Sequence, residues 1–137
     1  PRAIVAGLSG QRVPLHGGGR AKKSYLHDHD LARAIHIVVE KGEAGRVYNV
    51  GPDEPTSIRE VAERCAMASG RVFSEVFDIA EERVGQDGCY WLDSSAIKEL
   101  GWRQETTWVL GLGSVRGWAE SYLDQLRDWP TSYQLRA

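Results

Sequence analysis

The clearest periodicity in the chain runs from Asp28 to Lys41, where Leu31, Ala34, Ile35, Val38 and Val39 recur at i, i+3, i+4, i+7 and i+8. This spacing gathers the apolar side chains on one stripe and predicts a helix packed against a core. Asp28 or Asp30 is placed to cap its start and Gly42 to end it. A second amphipathic helix is predicted from the capping-box pattern Ser57-x-x-Glu60, with Ile58, Val61, Ala62 and Cys65 on its apolar face as far as about Gly70. Near the start, Ile4, Val5 and Leu8 have helical spacing before Gly10, and Pro1 suits a first helical turn. Asp93 or Ser94 caps a helix running through Leu100, with Gly101 as its stop. From Thr107 to Trp129, Leu112, Val115, Ala119, Tyr122 and Leu126 keep a helical period despite Gly111, Gly113 and Gly117, each costing about 1 kcal/mol relative to Ala.

Shorter apolar runs predict strands at Arg12–His16, Arg46–Val50, Val72–Ile79 and Cys89–Leu92, with a strand-like step at Tyr25-Leu26. Gly17 to Lys23, Pro52 to Pro55 and Glu81 to Gly88 read as loops. The expected architecture is α/β: one small domain of short strands and about four to five helices over residues 1–129, followed by a loosely ordered tail over 130–137. A chain of 137 residues fits one domain of the common size of about 100–150 residues.

The charge balance of 17 basic and 19 acidic residues, net -2, gives no overall field to recruit nucleic acid or an anionic membrane. No apolar run approaches the roughly 20 residues that span a bilayer, and no signal-peptide pattern opens the sequence, so a cytoplasmic protein is expected. Cys65 lies on an apolar helix face and Cys89 beside Tyr90 and Trp91, so both are expected to be small core residues rather than ligands.

Gly17 to Gly19 followed by Arg20, Lys22 and Lys23 combines backbone freedom with three cations in a short reach, as a phosphate or diphosphate site requires. A solvated turn has the same composition, and neither the P-loop pattern nor G-x-G-x-x-G is present. His27, Asp28, His29 and Asp30 carry metal-ligand chemistry, but neighbours on a helix diverge by about 100°, so at most two face one ion and no metal is expected. His36 reads as a packed or surface histidine, and no G-x-S-x-G elbow or activated cysteine is present. Arg83, in the E-R-V-G-Q-D loop before a strand, is placed to reach an anion held elsewhere in the fold.

In order, PRAIVAGLSGQRVPLHGGG, YLHDHDLARAIHIVV, GRVYNVG and ERVGQDGCYWLDSSAIKELGW resemble the C-terminal part of extended short-chain dehydrogenase/reductases acting on nucleotide sugars, and among these the dTDP-glucose 4,6-dehydratases. The resemblance runs to about Trp129. It implies a substrate domain that holds a nucleoside diphosphate sugar, while a preceding Rossmann domain holds NAD and a Tyr-x-x-x-Lys pair. By resemblance Pro14, Leu15 and His16 lie along the base and ribose, Lys23 replaces a diphosphate-binding arginine, Asn49 lies near the phosphates, Arg83 contacts phosphate, and Gln86 stands where dehydratases usually carry histidine. His16 replaces a tyrosine, and Ser24 and Tyr25 replace Asp-Trp. These departures imply weakened or altered nucleotide preference.

The chain contains neither the dinucleotide fingerprint nor Tyr-x-x-x-Lys, so no cofactor is expected within it and catalysis by it alone is not expected. The alternative is a stand-alone, non-catalytic binding or assembly protein. Either way, without a Rossmann half the fold should expose apolar surface, which predicts self-association, including by exchange of the first helix or strand, or a Rossmann-domain partner.

Overall fold

Thirteen short elements follow from these patterns in the computed structural model, which describes residues 1–85 and 87–128. The helices are α1 (Arg2–Ser9), α2 (Asp28–Lys41), α3 (Ile58–Ala68), α4 (Phe73–Val76), α5 (Ser95–Glu99), α6 (Trp108–Ser121) and α7 (Leu123–Leu126), and the strands are β1 (Val13–His16), β2 (Lys22–Lys23), β3 (Thr56–Ser57), β4 (Phe77–Ala80) and β5 (Cys89–Tyr90). A 3-10 turn, Gly17–Gly19, follows β1. Strands β1 and β4 pair in parallel, and β2 sits between antiparallel β3 and parallel β5. None of these helices is long and apolar enough to cross a membrane.

The capping box forms as the sequence predicts. Ser57 Oγ accepts from the Glu60 N–H at 3.1 Å, and Glu60 accepts from the Ser57 N–H at 3.0 Å. The apolar face of α3 then supplies Ala62 and Ala66 to one core with Val13, Leu15, Val76 and Phe77. Cys65 joins a second with Ile4 of α1 and Ala119 of α6. A third core gathers Ala34, Ile97 and Trp102, with Leu26, Tyr48 and Val50 against it. Arg12 ties β1 to β4: its guanidinium donates to both Asp78 carboxylate oxygens and to the Ser74 carbonyl, and this holds the Asp78 carboxyl below its ordinary value.

Several expectations are corrected. Among the described residues there are seven α-helices rather than four or five, because α4 and α7 are single turns. Residues Val72 to Ile79 divide into α4 and β4; the Glu75 carboxylate accepts from the Val72 N–H at 2.8 Å and closes a helical turn inside an alternating pattern. Among the described residues no ladder forms at Arg46–Val50 or at Tyr25-Leu26, and β5 covers only Cys89–Tyr90. Cys89 is exposed, not core, whereas Cys65 is buried. The loop expected from Gly17 to Lys23 contains the 3-10 turn and β2. The N-cap of α2 is His27, with Asp28 and Asp30 in its first turn. The helix from Thr107 breaks at Tyr122 rather than at a glycine. Gly111 permits close packing instead, since a Cβ there would sit 3.0 Å from the His27 ring. The expected tail, 130–137, lies outside the described residues.

Asp30 is fully buried and organises the third core. Its carboxylate accepts from the Glu105 N–H at 3.1 Å, the Thr106 N–H at 3.0 Å and Arg33 at 3.2 Å, and its carbonyl accepts from the Trp102 indole at 2.9 Å. Burial pushes the carboxyl pKa up, but these hydrogen bonds and the Arg33 charge outweigh it and hold the value below that of an ordinary aspartate. Asp30→Ala leaves two part-buried N–H groups without their acceptor, at about 1–3 kcal/mol each, so urea unfolding should show a loss of roughly 3 kcal/mol. Because the folded pKa is depressed, the ionic contribution is fully present above about pH 4 and is lost as pH falls below it. The stability gap between wild type and Asp30→Asn should therefore narrow in acid unfolding curves below that pH. A gap independent of pH would contradict this assignment.

Candidate functional site

The glycine turn makes three successive left-handed steps, with φ of 58°, 65° and 73° at Gly17, Gly18 and Gly19. Gly19 also packs on the start of α3, where a Cβ would meet the Arg59 backbone nitrogen at 2.7 Å. The turn therefore has one conformation imposed from below, and it delivers the chain into β2. Ala21 extends this seating by accepting from the Ile58 N–H at 2.9 Å.

Across from the turn, residues 81–85 and 87–88 fold back, and the two stretches are each fastened to it or to β2. At one end His16 Nδ1 lies 2.9 Å from the Glu81 carbonyl, and Arg20 pairs with Glu82 at 3.1 Å. At the other end the Lys22 N–H donates to the Gly88 carbonyl at 2.9 Å, and Lys23 Nζ donates to the Asp87 carbonyl at 3.3 Å. Arg83 is exposed between these fastenings. Lys23 pairs in register with Tyr90 and places its ammonium 5.7 Å from the centre of that ring.

The segment ending in Gly51 joins the same neighbourhood through β5. Ser24 donates to the Tyr90 carbonyl at 3.3 Å, Trp91 donates to the Pro52 carbonyl at 3.2 Å, and Ser94 donates to the Gly51 carbonyl at 3.3 Å. Asn49 is exposed two residues before Gly51. The fold thus brings the Lys23 and Arg83 segments together directly and carries the Asn49 segment alongside them. Pro14 is exposed on β1, Leu15 is buried in the core with Phe77, and His16 sits at the strand end. Gln86 lies outside the described residues.

Of the three cations in the glycine loop, Arg20 is neutralised by Glu82, so its charge serves the loop closure. His27 and Asp30, which carried metal-ligand chemistry in the sequence, cap and staple α2. His36 is exposed and lies 3.4 Å from Glu40 on its own helix. Burial pushes the Cys65 thiol pKa up, away from a reactive thiolate. Sequence reasoning missed the Ser24, Trp91 and Ser94 contacts, because no local pattern signals hydrogen bonds spanning 39 to 66 residues. A cleft of about 830 Å³ adjoins this neighbourhood, between Tyr25, Gly51, Trp102, Gln104 and Trp108.

The fold matches known proteins throughout. The solved dTDP-glucose 4,6-dehydratase DesIV of Streptomyces venezuelae, crystallised with NAD, superposes with a TM-score of 0.80 at 27% identity over 90% of this chain and 38% of that one. A dTDP-glucose 4,6-dehydratase of Streptomyces griseus is 35% identical over 94% of this chain and 38% of its own length. A trifunctional UDP-glucose 4,6-dehydratase/UDP-4-keto-6-deoxy-D-glucose 3,5-epimerase/UDP-4-keto-L-rhamnose-reductase of Arabidopsis thaliana is 36% identical over 86% of this chain and 18% of its own length. The model of the NAD dependent epimerase/dehydratase family matches residues 1–51. The architecture is thus the α/β fold found in dehydratases and epimerases. The chain belongs to the extended short-chain dehydrogenase/reductase family, and it spans well under half the length of these relatives.

The loop geometry separates two neighbouring glycines. Gly19→Ala must adopt a left-handed φ and also displace the Arg59 backbone, whereas Gly18→Ala meets open space. The strain alone costs about 1–2 kcal/mol. Thermal unfolding should show a loss near that figure for Gly18→Ala and clearly more for Gly19→Ala. Equal losses would show that the turn is not seated on α3.

Proposed function

We propose that this chain is the nucleotide-diphosphate-sugar binding portion of a dTDP-glucose 4,6-dehydratase-like or epimerase-like protein. The observation that carries the reading is the return of residues 81–85 and 87–88 onto the glycine turn and β2. Lys23 Nζ donates to the carbonyl of Asp87, which lies four residues beyond Arg83 in that returning segment. A diphosphate has charge to satisfy two such cations, and the contact that now holds Lys23, a 3.3 Å bond to a carbonyl, is weak enough to be exchanged for phosphate oxygen. Asn49 adds a neutral donor and acceptor from the adjoining segment. Pro14 and His16 continue the surface along β1 towards the nucleoside, with Gln86 in the returning loop.

Lys23 offers a point charge where the resemblance implies an arginine fork, so it gives attraction without two-pronged orientation. The family's activity is NAD-dependent, and the residues here do not fit that dinucleotide. The glycine turn leads into β2 rather than into a helix N-terminus, and its Gly19 face is filled by the Arg59 backbone. No hydride step is therefore assigned to these residues, and their role is to grip and orient the ligand.

Titration calorimetry with dTDP, UDP and inorganic diphosphate tests the reading. A nucleotide should give measurable heat, and Lys23→Ala or Arg83→Ala should each weaken it by about tenfold or more, as expected for a charge-assisted bond worth about 1.5–3 kcal/mol. Lys23→Arg should tighten it. No turnover of dTDP-glucose with added NAD is expected from these 137 residues alone. Absence of heat with every nucleotide would overturn the proposal and favour a non-catalytic assembly protein.

A further inference from the structure

Two concavities of this molecule share a wall. The cleft of about 830 Å³ and an apolar pocket of about 240 Å³ are both lined by Tyr25, Gln104, Thr106, Thr107 and Trp108. Beyond that wall the smaller pocket is lined by Val61 and Cys65 of α3 and by Leu112 and Val115 of α6. Among the described residues it receives no aspartate, glutamate, lysine or arginine side chain. An apolar cavity of about 150 Å³ stays dry and binds benzene, so this one has room for a substituted ring of that size.

The shared wall is held from outside the cavities. Asp30 accepts from the Glu105 and Thr106 N–H groups and so fixes the chain that enters α6. Trp108, the first residue of α6, has the Arg64 guanidinium 4.7 Å from its ring centre. The Tyr25 ring lies 5.9 Å from it on another side, tilted by 57°. The pocket is therefore a preformed space, and a ligand entering it does not have to order its walls.

Tyr25 adds an unmet demand. Burial, and then the neighbouring Cys65, push its phenol pKa up, and no hydrogen bond works against them. A phenolic hydroxyl withdrawn from water ordinarily has a partner. Among the described residues this one has none, and its residue belongs to the wall that both cavities share. The outer cleft gives no net preference for either charge. Asp53 pairs there with Lys98, and Glu105 with Arg33, which leaves Glu54 and Arg103, one of each sign.

We propose that the paired cavities form a binding site for an uncharged aromatic molecule, its ring in the apolar pocket and its hydrogen-bond acceptor on the Tyr25 hydroxyl at the opening to the larger cleft. Lys23, Asn49 and Arg83 line neither cavity, so the site is separate from the cationic loop and does not depend on the nucleotide reading. Its apolar lining supplies the affinity, and Tyr25 sets the orientation.

The test is ¹H–¹⁵N NMR of the full 137-residue chain titrated with benzyl alcohol, and with glycerol as a probe that has hydroxyls but no ring. The Cys65, Thr107 and Leu112 amide signals should shift together and saturate with a Kd of about a millimolar, the range open to so small a ligand. Glycerol should move none of them. Tyr25→Phe removes the hydroxyl, keeps the ring and should weaken binding about fivefold, the effect of one neutral hydrogen bond. Cys65→Leu fills the pocket and should abolish binding; a thermal melt checks that this variant is folded, and Tyr25→Phe decides the matter if it is not. Trp118→Ala, on the exposed side of α6, should bind as wild type does. Shifts that never saturate, unchanged affinity in Tyr25→Phe, binding retained by folded Cys65→Leu, or displacement of benzyl alcohol by dTDP would overturn the proposal.

Discussion

A carboxylate cannot be buried without enough donors to replace its lost water, and the arrangement of the fold around α2 follows from how Asp30 meets that demand. The donors come from the N–H groups of Glu105 and Thr106, more than seventy residues further on, while the same residue's carbonyl receives the Trp102 indole. To satisfy one side chain, the 102–106 segment must lie against the start of α2. Trp102 is thereby driven into the core beside Ala34 and Ile97, and Thr107 is brought to the point where it caps α6, its hydroxyl accepting from Leu110. The third core is thus organised by a polar residue and filled by apolar ones.

The elements legible from sequence are those whose determinants are local. Ser57 and Glu60 specify the start of α3 within four residues, and the stripe of α2 specifies a helix whatever covers it. What could not be read depends on a partner distant in sequence. Arg46–Val50 has strand composition but no ladder partner among the described residues, so pattern predicts a strand that these residues do not pair. Val72 to Ile79 alternates well enough for β structure, yet Glu75 closes a turn on Val72 and only the second half reaches β1. Asp30 could be read as a first-turn acid, but nothing local marks it as the acceptor for a loop near the far end of the chain. Cys89 follows the same logic: an apolar neighbourhood in sequence is not one in space when the strand carrying it is two residues long.

The candidate site was legible by residue type and by resemblance more than by geometry. Glycines beside cations announced an anion loop, but only the structure shows that Arg20 is spent on Glu82 and that Lys23 leans on the Asp87 carbonyl. The glycines also have a different emphasis from the one their composition suggests. Gly19 is required for a close approach to α3, so part of the turn's freedom serves packing. The other two glycines provide the left-handed path that returns the chain towards β2.

The 830 Å³ cleft and the cationic loop adjoin at the Gly51 segment, and electrostatics decides between them for a diphosphate. The 830 Å³ cleft has Asp53, Glu54 and Glu105 among its walls, and its basic groups are already engaged or outnumbered: Lys98 pairs with Asp53 there. Bringing two more negative charges into such a cleft sets them against carboxylates with only Arg103 to compensate. The 81–88 loop also carries acids, but Glu82 is matched by Arg20, and Glu81 and Asp87 stand against Lys22, Lys23 and Arg83. That leaves one positive charge in surplus, with Lys23 and Arg83 on segments that the fold clamps together. A large volume accommodates many ligands, whereas two cations on segments fixed at both ends select for an anion, and for this family the second property is the more informative one.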